Sequence, residues 1–237
     1  MSLATNYTRL RTDPQASLRK KIYDITSKAR EQGFLSKLEF DFLNKPGPRT
    51  PVLYTLPKIH KGLTNPPGRP ILSGCGSILE PLGQYIDYFI KDTVPLQETY
   101  VRDSTSMINL VEGMHFDDTS QLLVTMDIQS LYTSIPQQDS IRVIEKVLDD
   151  RPQPPQVPTS FIIELLTIAL TENYLKHTDD FYQQRSGTSM GAVFAPSLAN
   201  IYVNSFEHAF VLTDTNPFRE KIKFWKRYID DIFMIWE

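Results

Sequence analysis

Residues 223–237 read KFWKRYIDDIFMIWE, and the reading of this stretch decides how the rest of the chain is understood. Aromatic and β-branched residues flank Asp230 and Asp231 on both sides, and such residues favour strands. The pattern predicts a β-hairpin whose tight turn carries two adjacent carboxylates. Like charges set among Phe, Trp, Tyr and Ile cost free energy unless a cation neutralises them. An ordinary solvated turn also contains Asp-Asp pairs. The rest of the chain has to separate these two readings.

Working outward, residues 121–128, QLLVTMDI, predict a buried strand that ends in Asp127. A lone acid closing an apolar strand is either a functional group or a helix cap or ion-pair partner. With Asp230 and Asp231 it would make a three-carboxylate set on two adjacent strands. Two-metal phosphoryl transfer needs such a set, with ions roughly 3.5–4 Å apart that serve the attacking and the leaving oxygen. Hard oxygen donors select Mg²⁺ over zinc, and no Cys/His set competes.

The charge is uneven. The net value is −3, yet residues 1–70 carry 13 Lys and Arg against 5 Asp and Glu, while residues 71–237 carry 12 against 23. A basic front joined to an acidic body suits a phosphate-binding element beside a metal-binding one, although solvated charged faces would give the same totals. Lys58, His60, Lys61 and Arg69 cluster around PKIHKG and GRPILSG. They are candidates to grip phosphates, or simply a basic loop. Gly187 and Gly191 in RSGTSMGAVFAP would let the backbone approach a ligand closely.

Hydrophobic content of 41% and 237 residues allow a sizeable core. No apolar run is long enough to span a membrane, and no signal-peptide core is visible. One cysteine, Cys75, forms no internal disulfide, fits an intracellular reducing compartment, nuclear or cytoplasmic, and is expected to pack as a small apolar residue. Helices are predicted after Pro14, after Ser36, over 77–92, after Asp103 or Ser104 (with Met107, Leu110 and Val111 inward), over 138–149 and 160–175 (capped by Thr159 or Ser160), and after Pro196. Short strands are predicted at 52–56, 69–72 and 181–184.

In this order the segments resemble reverse transcriptases. YIDD is similar to their palm motif C, MDIQSLYTSIP to motif A, QQRSGTSMGAVFAPSLANIYV to motif B, and LPKIHK through GRPILSG to fingers motifs 1 and 2. The wording is similar to Penelope-like retroelements, a group related to telomerase, and the likeness covers nearly the whole chain. It implies an α+β fold, a right-hand polymerase palm of antiparallel sheet backed by helices plus fingers. Residues 1–44 would form an N-terminal helical extension, 45–120 the fingers and 121–237 the palm. It implies RNA-directed DNA synthesis with an RNA template, a DNA primer and dNTPs, and two Mg²⁺ ions replaceable by Mn²⁺.

Asp127 and Asp230 would bind both ions, with Asp231 the third carboxylate and the Ile128 carbonyl also facing a metal. Tyr132 falls on the steric-gate position that excludes a ribose 2′-hydroxyl, which opposes an RNA-dependent RNA polymerase. Arg69 and Lys58, or Lys61 in its place, would hold the triphosphate. Gly187, Met190 and Gly191 would line the nucleotide and template, with Tyr228 beside the primer or template. Met190 stands where many reverse transcriptases carry Gln, with Arg185 and Ser186 as candidates to supply the polar contact to the nucleotide instead. The chain stops after motif C, so the thumb is absent and the resemblance implies either a fragment or a second chain. The rival expectation is an inert polymerase-derived module that binds RNA or DNA.

Overall fold

The computed structural model describes residues 6–59, 62, 64, 66, 68–116, 119–152 and 156–237, without the side chains of Arg69 and Pro70. His60 and Lys61 therefore lie outside the described residues. The chain forms two compact units, residues 1–89 with 132–195, and residues 90–131 with 196–237. The architecture is α+β, as expected.

The first unit is built on β1 (Tyr7–Leu10), β2 (Val52–Pro57), β3 (Gly68–Ser73), β5 (Tyr174–His177) and β6 (Asp180–Gln184). They form one sheet in the order β1-β6-β5-β2-β3, antiparallel except where β2 meets β5. Helix α1 (Gln15–Glu31) buries Leu18, Ile22 and Ala29. Thr26 shares that face, and its hydroxyl donates to the Ile22 carbonyl at 2.8 Å, which satisfies it without water. Gly33, at φ 81, follows the helix where a left-handed residue is needed.

Helix α2 (Lys37–Leu43) opens with a reciprocal cap: the Ser36 hydroxyl accepts from the Glu39 N–H, and the Glu39 carboxylate accepts from the Ser36 N–H. Ser36→Ala should lower stability by about 1 kcal/mol, measured by urea titration; an unchanged midpoint would deny the cap a role.

Helices α3 (Glu80–Ile90), α6 (Gln137–Asp149) and α7 (Thr159–Thr171) contribute Leu82, Ile86, Ile144, Leu148, Ile162, Leu165 and Leu166, all fully buried. Helix α7 stops at Thr171, short of the predicted residue 175, because Tyr174 and Leu175 are drawn into the sheet by pairing with β6. Tertiary pairing overrides the helical pattern there. Its N-cap is Pro158 with no side-chain cap, instead of Thr159 or Ser160. Cys75 is exposed, contrary to expectation, in the turn that follows β3.

The second unit holds α4 (Ser104–Val111), β4 (Leu122–Asp127), α8 (Ala195–Phe206), β7 (Ile222–Tyr228) and β8 (Asp231–Trp236). The sheet order is β4-β8-β7, all antiparallel. Asp103 caps α4 by accepting from the Ser106 N–H and hydroxyl; these bonds and Arg102 hold its carboxyl at about 2. The cap is therefore intact above the usual carboxylate range and is lost as pH falls towards that value.

Two expectations fail here. Helix α4 buries no residue, and Leu110 is exposed. Strand β4, an edge strand of this sheet among the described residues, is exposed along most of its length, with the successive residues Leu122 and Leu123, which point to opposite faces, 62% and 61% exposed. Among the described residues no helix is long and apolar enough to cross a membrane.

Candidate active site

Asp127 closes β4 and stands directly opposite Asp231, the first residue of β8. The ladder continues one bond beyond the strands, where the Ile128 N–H donates to the Asp230 carbonyl at 2.9 Å. Tyr228, the last residue of β7, faces Asp231 from the other side. Side chains of directly opposed residues share a sheet face, so Asp127 and Asp231 project together.

Only Ile229 and Asp230 join β7 to β8, a two-residue hairpin loop. Ile229 sits at φ 54. A β-branched residue is rarely found there, and strain of this kind persists only where the surroundings over-determine it.

Asp127 and Asp231 are exposed and Asp230 is half-buried, so the expected apolar enclosure is partial. Among the described residues none of the three is in an ion pair. Directly opposed like charges destabilise a sheet, and a divalent cation would relieve that repulsion. Among the described residues no three Asp, Glu, His or Cys side chains are gathered closely enough to hold one ion in common. What the fold supplies is the frame: two cross-strand carboxylates and a third in the adjoining turn, oxygen donors only. That donor set fits a hard cation. A 620 Å³ cleft runs alongside Asp231, lined by Val101, Met107, Ile108, Tyr228 and Phe233.

The other expected residues belong to the first unit. Tyr132 lies in α5 (Leu131–Ser134), half-buried, and its carbonyl accepts from the Thr188 N–H at 2.7 Å. A Cβ on Gly187 would fall 2.5 Å from the Thr133 Cα and from the Tyr132 oxygen, and Gly187 is at φ 70. At the far end of the same segment, a Cβ on Gly191 would lie 1.8 Å from the Leu72 carbonyl oxygen. The Gly187–Gly191 segment thus lies with bare backbone against Tyr132-Thr133 at one end and against the end of β3 at the other. Arg69 pairs with Leu56 across β2 and β3, while Lys58 follows β2 and is half-buried, as is Met190. Lys61 lies outside the described residues. Arg185 hydrogen-bonds the Thr8 hydroxyl.

Three amides that sequence reading passed over hold this segment. Gln137 Nε2 donates to the Leu170 and Gly187 carbonyls, both at 3.0 Å. Buried Asn173 donates to Gln184 Oε1 at 2.7 Å, and Gln184 Nε2 donates to the Ser186 carbonyl at 2.7 Å. No local signal marks them, since each has a polar or charged neighbour in the sequence (Gln138, Glu172, Gln183 and Arg185). Among the described residues the buried Thr188 hydroxyl has no hydrogen-bond partner.

The family model for reverse transcriptase (RNA-dependent DNA polymerase) matches residues 77–237, well over half of the chain, and that span contains Asp127, Tyr132, Gly187, Gly191, Asp230 and Asp231. No curated relative matches the chain in sequence. Among solved structures, apo telomerase from Candida tropicalis truncated from its C-terminal domain is similar at a TM-score of 0.56 and 11% identity, over 81% of this chain and 44% of that one. Telomerase from Candida albicans in complex with a TWJ fragment of telomeric RNA is similar at 0.55 and 11%, over 99% of this chain and 46% of that one. Apo telomerase from Candida tropicalis gives 0.53 and 10%, over 98% of this chain and 46% of that one. This chain spans less than half the length of each, and at such identity the likeness is one of fold. The family match and the shared telomerase fold agree, and the chain belongs to the reverse transcriptase (RNA-dependent DNA polymerase) family.

Proposed function

We propose that this chain is the RNA-directed DNA polymerase domain of a Penelope-like retroelement, joining dNTPs to a primer 3′-hydroxyl on an RNA template. The observation that carries this reading is the register of Asp127 opposite Asp231, with Asp230 in the adjoining turn. Family membership supports the reaction class. The wording of LPKIHK, GRPILSG, SLYTSIP and GTSMGAVFAPSLAN supports the Penelope-like subclass. The RNA held by the Candida albicans telomerase supports an RNA template.

In the reaction the primer 3′-oxygen bonds to the α-phosphorus, the bond from that phosphorus to the bridging oxygen breaks, and pyrophosphate leaves. The hydroxyl proton passes to solvent. Asp127 and Asp230 would hold two Mg²⁺ ions, or Mn²⁺, with Asp231 and the Ile128 carbonyl as further oxygens. Bound there, the ions would neutralise charge on the attacking and leaving oxygens. Arg69 and Lys58, or Lys61 in its place, would neutralise the triphosphate, a guanidinium being able to do so through two hydrogen bonds. Gly187, Met190 and Gly191 would line the nucleotide and template, although the space left by the missing side chains of the two glycines is taken up by Tyr132-Thr133 and Leu72 of the chain itself, not by a ligand. Tyr228 stands beside the primer end. The polymerase subdomains are residues 1–44, 45–120 and 121–237, and the setting is intracellular, nuclear or cytoplasmic, where the exposed Cys75 stays reduced.

Primer extension on an RNA template with dNTPs tests the reading. Templated extension that requires a divalent ion is the expected result. Absence of extension together with absence of Mn²⁺ binding would favour an inert nucleic-acid-binding module. Tyr132 bars a ribose 2′-hydroxyl, so Tyr132→Ala should raise the use of rNTPs relative to dNTPs by about tenfold or more, one lost steric contact corresponding to about 1.4 kcal/mol. Competition between the two nucleotide types measures it, and an unchanged ratio removes the gate.

A further inference from the structure

We propose that Arg227 is the positioning residue of the aspartate hairpin, acting through the Ile229 carbonyl and anchored by buried Glu207 and Asn200; its catalytic consequence rests on the polymerase reading above. Arg227 is 0% exposed and Glu207 1%, which makes this a charge pair sealed from water.

Every guanidinium N–H is used. Nε donates to Glu207 Oε1 at 2.9 Å, and Nη2 to Glu207 Oε2 at 3.4 Å and to the Asn200 carbonyl at 3.2 Å. Nη1 donates to Asn200 Oδ1 at 2.9 Å and to the Ile229 carbonyl at 3.0 Å. Five donors meet five acceptor contacts, the full capacity of an arginine.

The acceptors are themselves fixed. Glu207 also accepts from Trp225 Nε1 at 2.9 Å and from the Thr99 hydroxyl at 2.6 Å. Asn200 Nδ2 donates to the Pro196 carbonyl at 2.9 Å. The Arg227 backbone is held as well, its N–H donating to the Thr99 carbonyl at 2.7 Å and its carbonyl accepting from the Val101 N–H at 2.9 Å. Glu207 opens a π-helical turn, Glu207–Val211, at the end of α8. Such turns recur at functional positions.

Stability alone does not account for this network. A buried ion pair can be replaced by apolar residues of similar volume with little or no loss of stability. An apolar pair cannot donate to the Ile229 carbonyl. That carbonyl belongs to the strained residue at φ 54, next to Asp230, whose own carbonyl takes the Ile128 N–H beside Asp127. One buried cation therefore clamps the turn that sets the Asp127–Asp231 register while three carboxylates repel one another.

The test uses Glu207→Gln combined with Arg227→Met, which removes both charges and the bond to Ile229 together, and Arg227→Lys alone, which keeps the charge but offers three donors on one nitrogen in place of five on a planar fork. Folding is followed by thermal melting, Mn²⁺ binding by electron paramagnetic resonance, and kcat and KM by primer extension. In the folded double variant the half-saturating Mn²⁺ concentration should rise about 10–100-fold, as for lost supports of metal ligands, and kcat should fall with dNTP KM unchanged. Arg227→Lys should fall between it and the parent.

A folded double variant, or failing that a folded Arg227→Lys, with parental Mn²⁺ binding and kcat overturns the proposal. If neither folds, Arg227 is a folding residue only and the proposal is again overturned. Asp230→Ala separates the two readings: if it retains incorporation, the polymerase assignment fails, whereas if it is inactive beside a fully active double variant, only the role of Arg227 fails.

Discussion

Asp127→Ala should lower dNTP incorporation by about a thousandfold or more, because it removes a carboxylate proposed to hold both ions, and metal stabilisation of the reacting oxygens is worth several kcal/mol at about 1.4 kcal/mol per tenfold. The same substitution should leave the melting temperature unchanged or raise it. Asp127 is exposed and faces Asp231 directly across the ladder, so its removal relieves a repulsion and empties no core. A loss of activity without a loss of stability is the signature of a group kept for chemistry. Primer extension and a melting curve on the same preparation check both halves. Incorporation within tenfold of the parent would remove Asp127 from the site.

Gly191→Ala should be among the most destabilising of the glycine-to-alanine changes. Its Cβ would sit 1.8 Å from the backbone oxygen of Leu72, which no rotamer change can relieve. Either the end of β3 or the glycine segment must move. Overpacking of this kind costs about 1–3 kcal/mol and more where backbone must shift, a large part of the roughly 5–15 kcal/mol that holds a domain together. Gly113→Ala is the control, since a Cβ there meets nothing within 4 Å, and it should be neutral or slightly stabilising. Chemical denaturation of both variants measures the contrast. Equal midpoints would mean that the close approach of Gly191 to β3 is not a feature of the folded protein in solution.

Much of the fold was legible because local chemistry decided it. The Ser36 and Asp103 caps, the stop at Gly33, the α1, α3 and α6 stripes and the hairpin around Asp230 follow from spacing and side-chain type. The end of α7 was not legible, because an apolar run of that composition suits helix and buried strand equally until a partner strand chooses. The exposure of β4 was missed for a related reason. Leu122, Leu123 and Met126 look like core residues in any local window, and only the sheet order reveals an edge strand.

The candidate site divides in the same way. The acidic and glycine residues could be named from their types, whereas Gln137, Asn173, Gln184 and Arg227 could not. Arg227 reads in KFWKRYIDD as one more surface cation beside Lys223 and Lys226, yet it is fully buried. Its partners Asn200 and Glu207 lie far upstream on another element, and no local pattern links a helix residue to a strand residue at that separation.

By itself the sequence determined most of the helices and strands, that two adjacent carboxylates fall at a hairpin, and which family the motifs resemble, because periodicity, capping and turn chemistry act over a few residues. Only the tertiary structure decided the pairing of Asp127 with Asp231, the open edge at β4 and the burial of Arg227. Register and burial depend on partners distant in the chain, and a one-residue slip in the ladder would have turned Asp127 to the opposite face.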